Sequence, residues 1–298
     1  MMSSSNREPG PIPSATLILF RPAGREYQIY LLRRSKKSGF MAGTWVFPGG
    51  MLDDSDLNMN FWLNRIDLDK KEIDRRFGWG ETTEKTLGYL VAAVRETFEE
   101  SGVMLSDGNN LEPEVVDRFQ SDYRNDTAAF EKLLRDRKLS LLVSAVRPWA
   151  HWITPEGMKK RYETRFFIAP IPFGSVCRPE PGETPEGIWI APRSALEENA
   201  ACRLQLSPPA VVTLNQMLSF ETVYSLEKEI KRRKWGLTTL PKMVRGEKGD
   251  LLIEPWDPEY SAENPTRMPG ELLPVGAPFS RMWRRDLFWL PVGMPTGG

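Results

Sequence analysis

Histidine is almost missing from this chain: His151 stands alone among 298 residues, and Cys177 and Cys202 are the only cysteines. Two cysteines exclude a disulfide framework and suit a reducing compartment; each reads as a small buried apolar group. Excess charge of either sign is also absent. Forty basic residues balance 40 acidic ones, so no global field draws nucleic acid or an anionic membrane, and a small anionic substrate needs only a local patch. Long apolar runs are lacking, since residues 15–20 are too short a stretch for a span or a signal peptide and residues 1–13 carry no basic leader pattern. The final residues, 294–298, do not form a Ser-Lys-Leu address, so a cytoplasmic location is the expectation. No internal repeat or long low-complexity tract appears.

What the chain does have is Arg95-Glu96-Thr97-Phe98-Glu99-Glu100-Ser101-Gly102-Val103. At about 100° per residue, Glu96, Glu99 and Glu100 share one helical face, while Leu87, Val91, Val94 and Phe98 cluster on the opposite side. Like charges at this spacing repel by a few tenths of a kcal/mol even in water. A hard cation with oxygen ligands, Mg²⁺ or Mn²⁺, answers such a cluster when neither cysteine nor histidine is near. Gly102 supplies the left-handed residue that ends the helix. A solvated helix of mixed charge carries the same pattern, and the upstream sequence separates the two readings. There, Trp45-Val46-Phe47-Pro48-Gly49-Gly50 reads as a short strand that turns where two glycines let backbone approach a ligand.

Together the two pieces resemble the box of the Nudix hydrolases, G-x5-E-x7-R-E-U-x-E-E-x-G-U with U a bulky apolar residue. The matching positions are Gly50, Arg95, Glu96, Glu99, Glu100, Gly102 and Val103, while Thr97 fills a U position. The box is split, with Arg95 standing 45 positions beyond Gly50 instead of 14, an excess of 31 residues. Counted back from Arg95, the middle glutamate falls on Leu87, and Glu84 or Glu81 would have to replace it. A split of this kind is similar to the coenzyme A and acyl-coenzyme A diphosphatase branch. So are Arg34, Ser35, Gly43 and Phe47 to Gly50, which fit R-[SA]-x3-R-x3-G-x3-F-P-G-G with Gly39 in place of the second arginine. Residues 149–155 and 161–167 resemble the same branch. His151, within the first of these, reads as a packed, hydrogen-bonded strand histidine before a base.

The resemblance implies an α/β (α+β) fold, an α/β/α sandwich around a mixed sheet. The expected organisation is a tail at 1–13, the Nudix domain at 14–205 with an insertion at about 53–81, and an extension at 206–298 packed on the body or on a partner subunit, a homodimer being one possibility. Strands are expected at 15–20, 27–33, 141–153, 165–171 and 187–190. Helices are expected at 66–77, 83–101 and 115–134, then from Ser207 to Phe220 and over 221–234. Beyond residue 241 the chain is rich in Pro, Gly and Trp.

The resemblance also implies metal-dependent cleavage of a diphosphate. Glu96, Glu99 and Glu100 with the Gly49 carbonyl are the candidate ligands of Mg²⁺ or Mn²⁺, and Arg95 holds the carboxylates in place. Arg33, Arg34 and Gly50 are the candidate substrate contacts, and the base is Glu96 or a glutamate among Glu180, Glu183 and Glu186. Three functions stay open: a coenzyme A or acyl-coenzyme A diphosphatase, a Nudix enzyme on another diphosphate such as ADP-ribose, a dinucleotide or a nucleoside triphosphate, and a silent binding protein.

Overall fold

The computed structural model describes residues 10–39, 41–108, 110–122, 127–246 and 249–295. Most of the expected tail, Phe40 and the last three residues lie outside these. The chain opens with β1 (Ile12–Ala23) and β2 (Glu26–Arg33), then the short β3 (Trp45–Val46) and β4 (Gly49–Met51). Next come α1 (Met59–Trp62), α2 (Lys70–Phe77), the long α3 (Thr83–Ser101), α4 (Pro113–Asp122) and α5 (Thr127–Arg137). Strands β5 (Arg147–Ile153), β6 (Tyr162–Pro170) and β7 (Glu186–Ile190) precede α6 (Pro192–Ala200), α7 (Pro208–Met217) and α8 (Val223–Arg232). Four strands close the chain: β8 (Lys242–Gly246), β9 (Gly249–Ile253), β10 (Arg281–Arg285) and β11 (Phe288–Val292).

Strands β3-β2-β1-β6-β5 form one sheet, with β4 joining β1 and β7 joining β2. The β1–β6 ladder is parallel and its neighbours are antiparallel, so the sheet is mixed. Strand β1 reads as a nearly continuous apolar run because both its faces are covered. Leu17 and Leu19 pack with Leu87, Leu90, Val91 and Val94 of α3, whereas Ile18 and Phe20 pack with Val211 and Leu214 of α7 and Leu226 of α8. Helices therefore sandwich the sheet.

Helix α3 starts where Thr82 accepts the Lys85 amide and stops at Gly102, whose φ of 70° is left-handed. Its expected apolar back, Leu87, Val91, Val94 and Phe98, is wholly buried. Truncating Phe98 to alanine would cost about 3–5 kcal/mol by the usual scale for buried aromatics. That back fixes where the acidic front points.

Other elements differ from their expected bounds. Asp69 caps α2 by accepting the Glu72 amide, so the helix begins at Lys70, and Ile66 instead bridges to Leu141. A 3-10 turn at Val143–Ala145 delays β5 until Arg147. The helical region at 115–134 is two helices on either side of residues 123–126, which lie outside the described ones. The tail beyond 241 is a four-stranded antiparallel sheet, ordered β11-β10-β9-β8. One face of it, with Leu252, Met282 and Trp289, joins the core behind α7, and the other builds a small core from Val244, Leu251, Ile253 and Val292. Among the described residues no helix is long and apolar enough to cross a membrane.

Candidate active site

Strand β4 lies across the front of α3, and the approach is close enough to require glycine. A Cβ on Gly50 would overlap the Glu96 carboxylate. The Gly49 amide donates to Oε2 of Glu100 at 2.9 Å. The Pro-Gly-Gly turn and the acidic helix are thus one structure, although 45 positions separate Gly50 from Arg95.

Arg95 organises the carboxylates. Its Nε and Nη2 donate to the two oxygens of Asp56 at 2.9 and 2.8 Å. Its Nη1 donates to Glu96 at 2.9 Å and to Glu99 at 3.0 Å, and Nη2 also reaches the Met51 carbonyl at 3.0 Å. Asp56 is fully buried and held by the amide of Asp53, so the guanidinium cannot swing away. This settles the middle position of the box. Counted forward, the sixth residue after Gly50 is Asp56, and it makes the contact that counting back from Arg95 had sought near Leu87. Leu87 is core, Glu84 is exposed, and Glu81 turns to Lys85 and Arg165. The extra residues therefore enter after Asp56.

One guanidinium does not neutralise this group. Burial raises the Glu96, Glu99 and Glu100 carboxyls above their ordinary range despite Arg95 and the Gly49 amide, Glu99 to about 8. The carboxylates also raise one another. All available donors are oxygens, the chemistry that Mg²⁺ and Mn²⁺ prefer. Among the described residues no three His, Cys, Asp or Glu side chains stand grouped so as to hold a metal ion by themselves. An open acidic wall still fits Mg²⁺, which keeps several waters and shares its coordination with substrate phosphates.

The loop before β7 is tied to the end of α3: the Arg178 amide donates to the Ser101 carbonyl at 2.7 Å and the Glu180 amide to the Glu100 carbonyl at 3.0 Å. Glu180 is spent on shaping this loop, accepting the amides of Gly182 and Glu183. Glu183 lines the cavity in front of the helix, and its charge further raises Glu96 and Glu100.

That cavity holds about 830 Å³ and is lined by Gly49, Gly50, Arg95, Glu96, Glu99 and Glu100 at one end. Arg34 also lines it and draws the Glu100 carboxyl downward, whereas Arg33 is turned away onto Glu186 at 3.1 Å. Glu186 is thereby removed as a base. Gly39 lines the cavity where the resemblance would place a second arginine. His151 lies outside it, between Glu163 at 3.2 Å and Thr238 at 3.0 Å with its ring edge-on to Trp79, a packed histidine. The far wall of the cavity comes from the C-terminal sheet, through Met243, Arg245, Leu252, Arg284 and Trp289. None of these was foreseen.

A family model described as the NUDT19 Nudix domain matches residues 11–217, more than half of the chain. The chain belongs to that family. The NUDT19-type domain is therefore a Nudix pyrophosphohydrolase, and its match spans every element from β1 to α7. Acyl-coenzyme A diphosphatase NUDT19 of Xenopus laevis is 26% identical over 280 residues, covering 79% of this chain and 72% of that protein. Its Gallus gallus counterpart is 24% identical over 316 residues, covering 86% of this chain and 82% of the other. Among solved structures, a NUDIX hydrolase from Alicyclobacillus acidocaldarius shares the fold, with a TM-score of 0.63 at 23% identity over 78% of this chain and 100% of that one.

Proposed function

We propose that this Nudix hydrolase cleaves the diphosphate of coenzyme A or an acyl-coenzyme A, giving 3′,5′-ADP and (acyl-)4′-phosphopantetheine. The observation that carries the reading is the cavity itself, which has three under-neutralised glutamates at one end and ample apolar wall beyond them, in a chain whose relatives are named acyl-coenzyme A diphosphatases.

Glu96, Glu99 and Glu100, with the Gly49 carbonyl, are the residues that would hold Mg²⁺ or Mn²⁺. Bound there, the ion would neutralise diphosphate charge and acidify a water for attack on phosphorus. Arg95 does not meet substrate; it fixes the carboxylates of Glu96 and Glu99 against the Asp56 brace. Gly50 leaves room for Glu96, and Arg34 offers cationic donors to a phosphate. Glu183 is the loop carboxylate placed to accept the proton of the attacking water, since Glu180 is engaged by amides and Glu186 by Arg33. Glu96, pinned by Arg95, is the weaker choice.

Gly39 favours one second reading, a different diphosphate such as ADP-ribose, because it leaves the cavity without the second cation of the coenzyme A pattern. Incubating the protein with Mg²⁺ or Mn²⁺ and a diphosphate panel decides between them. Release of 3′,5′-ADP and 4′-phosphopantetheine is the expected result. Turnover of ADP-ribose with none of coenzyme A would reverse the assignment.

A further inference from the structure

The inner face of the C-terminal sheet carries two rows of side chains in fixed register. In the first, Met243 faces Leu252, which faces Met282. In the second, Arg245 faces Asp250 on one side of the sheet, and Arg284 faces Trp289 on the other. Successive residues of a strand alternate faces, so both rows look the same way, while Val244 and Leu251 serve the small core behind. Met243, Arg245, Asp250, Leu252, Arg284 and Trp289 all line the cavity that contains Glu96, Glu99 and Glu100.

The two ends of that cavity have opposite character. The helix end is acidic. At the sheet end Arg245 and Arg284 flank Asp250, with Arg284 at 3.8 Å from it, and Lys160 of the β5–β6 hairpin lines the same cavity. Two arginines thus flank one carboxylate. Arg284 lies 6.0 Å from the centre of the Trp289 ring, which supports its guanidinium. Arg245 makes no ion pair among the described residues. The two arginines sit on strands either side of β9, roughly 10 Å apart at their backbones, close enough for both long side chains to reach one anion. Planar guanidinium forks match phosphate oxygens.

We infer that the arginine row of the C-terminal sheet is a second anion subsite, for a phosphate monoester on the nucleoside half of the substrate. The inference rests on the proposed coenzyme A reading, because coenzyme A carries one strongly anionic group besides its diphosphate, the 3′-phosphate of its ribose. The sheet would then supply the cationic contact that Gly39 leaves out. It would also explain why the catalytic domain keeps an extension against its active-site mouth.

Equilibrium binding of 3′,5′-ADP and of 5′-AMP, measured by calorimetry on the full chain, tests this without turnover. The wild-type protein is expected to bind 3′,5′-ADP about tenfold or more tightly than 5′-AMP, the effect of one or two charge-assisted hydrogen bonds. Arg245→Glu with Arg284→Glu should collapse that preference, and both side chains are exposed enough to leave the fold intact. Asp250→Asn should widen it. Equal affinity for the two nucleotides in the wild-type protein, no binding of either, or a preference unchanged in the double variant would overturn the subsite. Preference for 3′,5′-ADP without cleavage of coenzyme A would leave the subsite standing and overturn the proposed reaction instead.

Discussion

Arg95 and Arg281 are both buried and each grips an aspartate through two hydrogen bonds, yet the two knots do opposite things. Arg281, fully buried in the C-terminal sheet, donates to both oxygens of Asp257 at 2.8 Å and to Glu259 at 2.9 Å. Burial works against the Asp257 charge, but hydrogen bonds from Arg281, Ser280 and the Glu259 amide outweigh it and hold the carboxyl below its usual range. Hydrogen bonds from Thr266 and Arg281 lower Glu259 as well. Arg95 grips Asp56 in the same bidentate way, yet Glu96, Glu99 and Glu100 around it are all raised. The first knot is complete in itself. The second has more negative charge than the chain can satisfy, which is the electrostatic condition for taking up a cation.

The two knots differ most in what their loss does to turnover. Glu99→Gln and Glu100→Gln are each expected to lower kcat by about a thousandfold, equivalent to about 4 kcal/mol of transition-state stabilisation. Their melting temperatures should hold or rise, because each removes repulsion. The knot around Arg281 should respond in the opposite sense. Asp257→Asn leaves a buried guanidinium short of its partner and should cost about 3 kcal/mol in denaturant unfolding, with kcat unchanged.

Asp56 tests whether Arg95 acts through the glutamates. Asp56→Asn frees the guanidinium to rotate, so the concentration of Mn²⁺ needed for half-maximal rate should rise by about tenfold or more, with a smaller effect at saturating metal. An unchanged metal requirement would mean that Arg95 positions nothing. The smallest effect concerns Glu254, which is buried beside the Arg281 knot with neither oxygen hydrogen-bonded among the described residues. Burial pushes its carboxyl up to about 8. A raised folded-state value means the folded chain keeps a proton that the unfolded chain gives up. Its stability contribution is whole below about 4.5 and is lost as pH rises toward 8. Glu254→Gln should therefore flatten the fall in stability between these limits, read from unfolding curves at both ends.

These regions also differ in how plainly the chain announces them. Helix α3 was legible over its whole span, because its Gly102 cap, its buried back and its acidic front follow from local spacing alone. Asp56 was hidden by the long excursion after it. Its signal was present in its distance from Gly50, but a distance counted from Arg95 crosses the extra residues and misses it. Arg33 and Arg34 are neighbours with the same chemistry, and only the strand's alternation sends one to Glu186 and the other to the cavity. The C-terminal sheet was the least legible part. Its strands are five residues long, with arginines on the face that lines a cavity, so they show none of the apolar alternation that marks a strand packed on one side.

Direct titration of Mn²⁺ into substrate-free protein, followed by the electron paramagnetic resonance of the free ion, decides whether the α3 glutamates hold the metal. The wild-type protein should show saturable binding, and Glu99→Gln combined with Glu100→Gln should lose it while keeping its melting temperature. Equal binding by the two proteins would contradict the assignment of the α3 glutamates as the metal site.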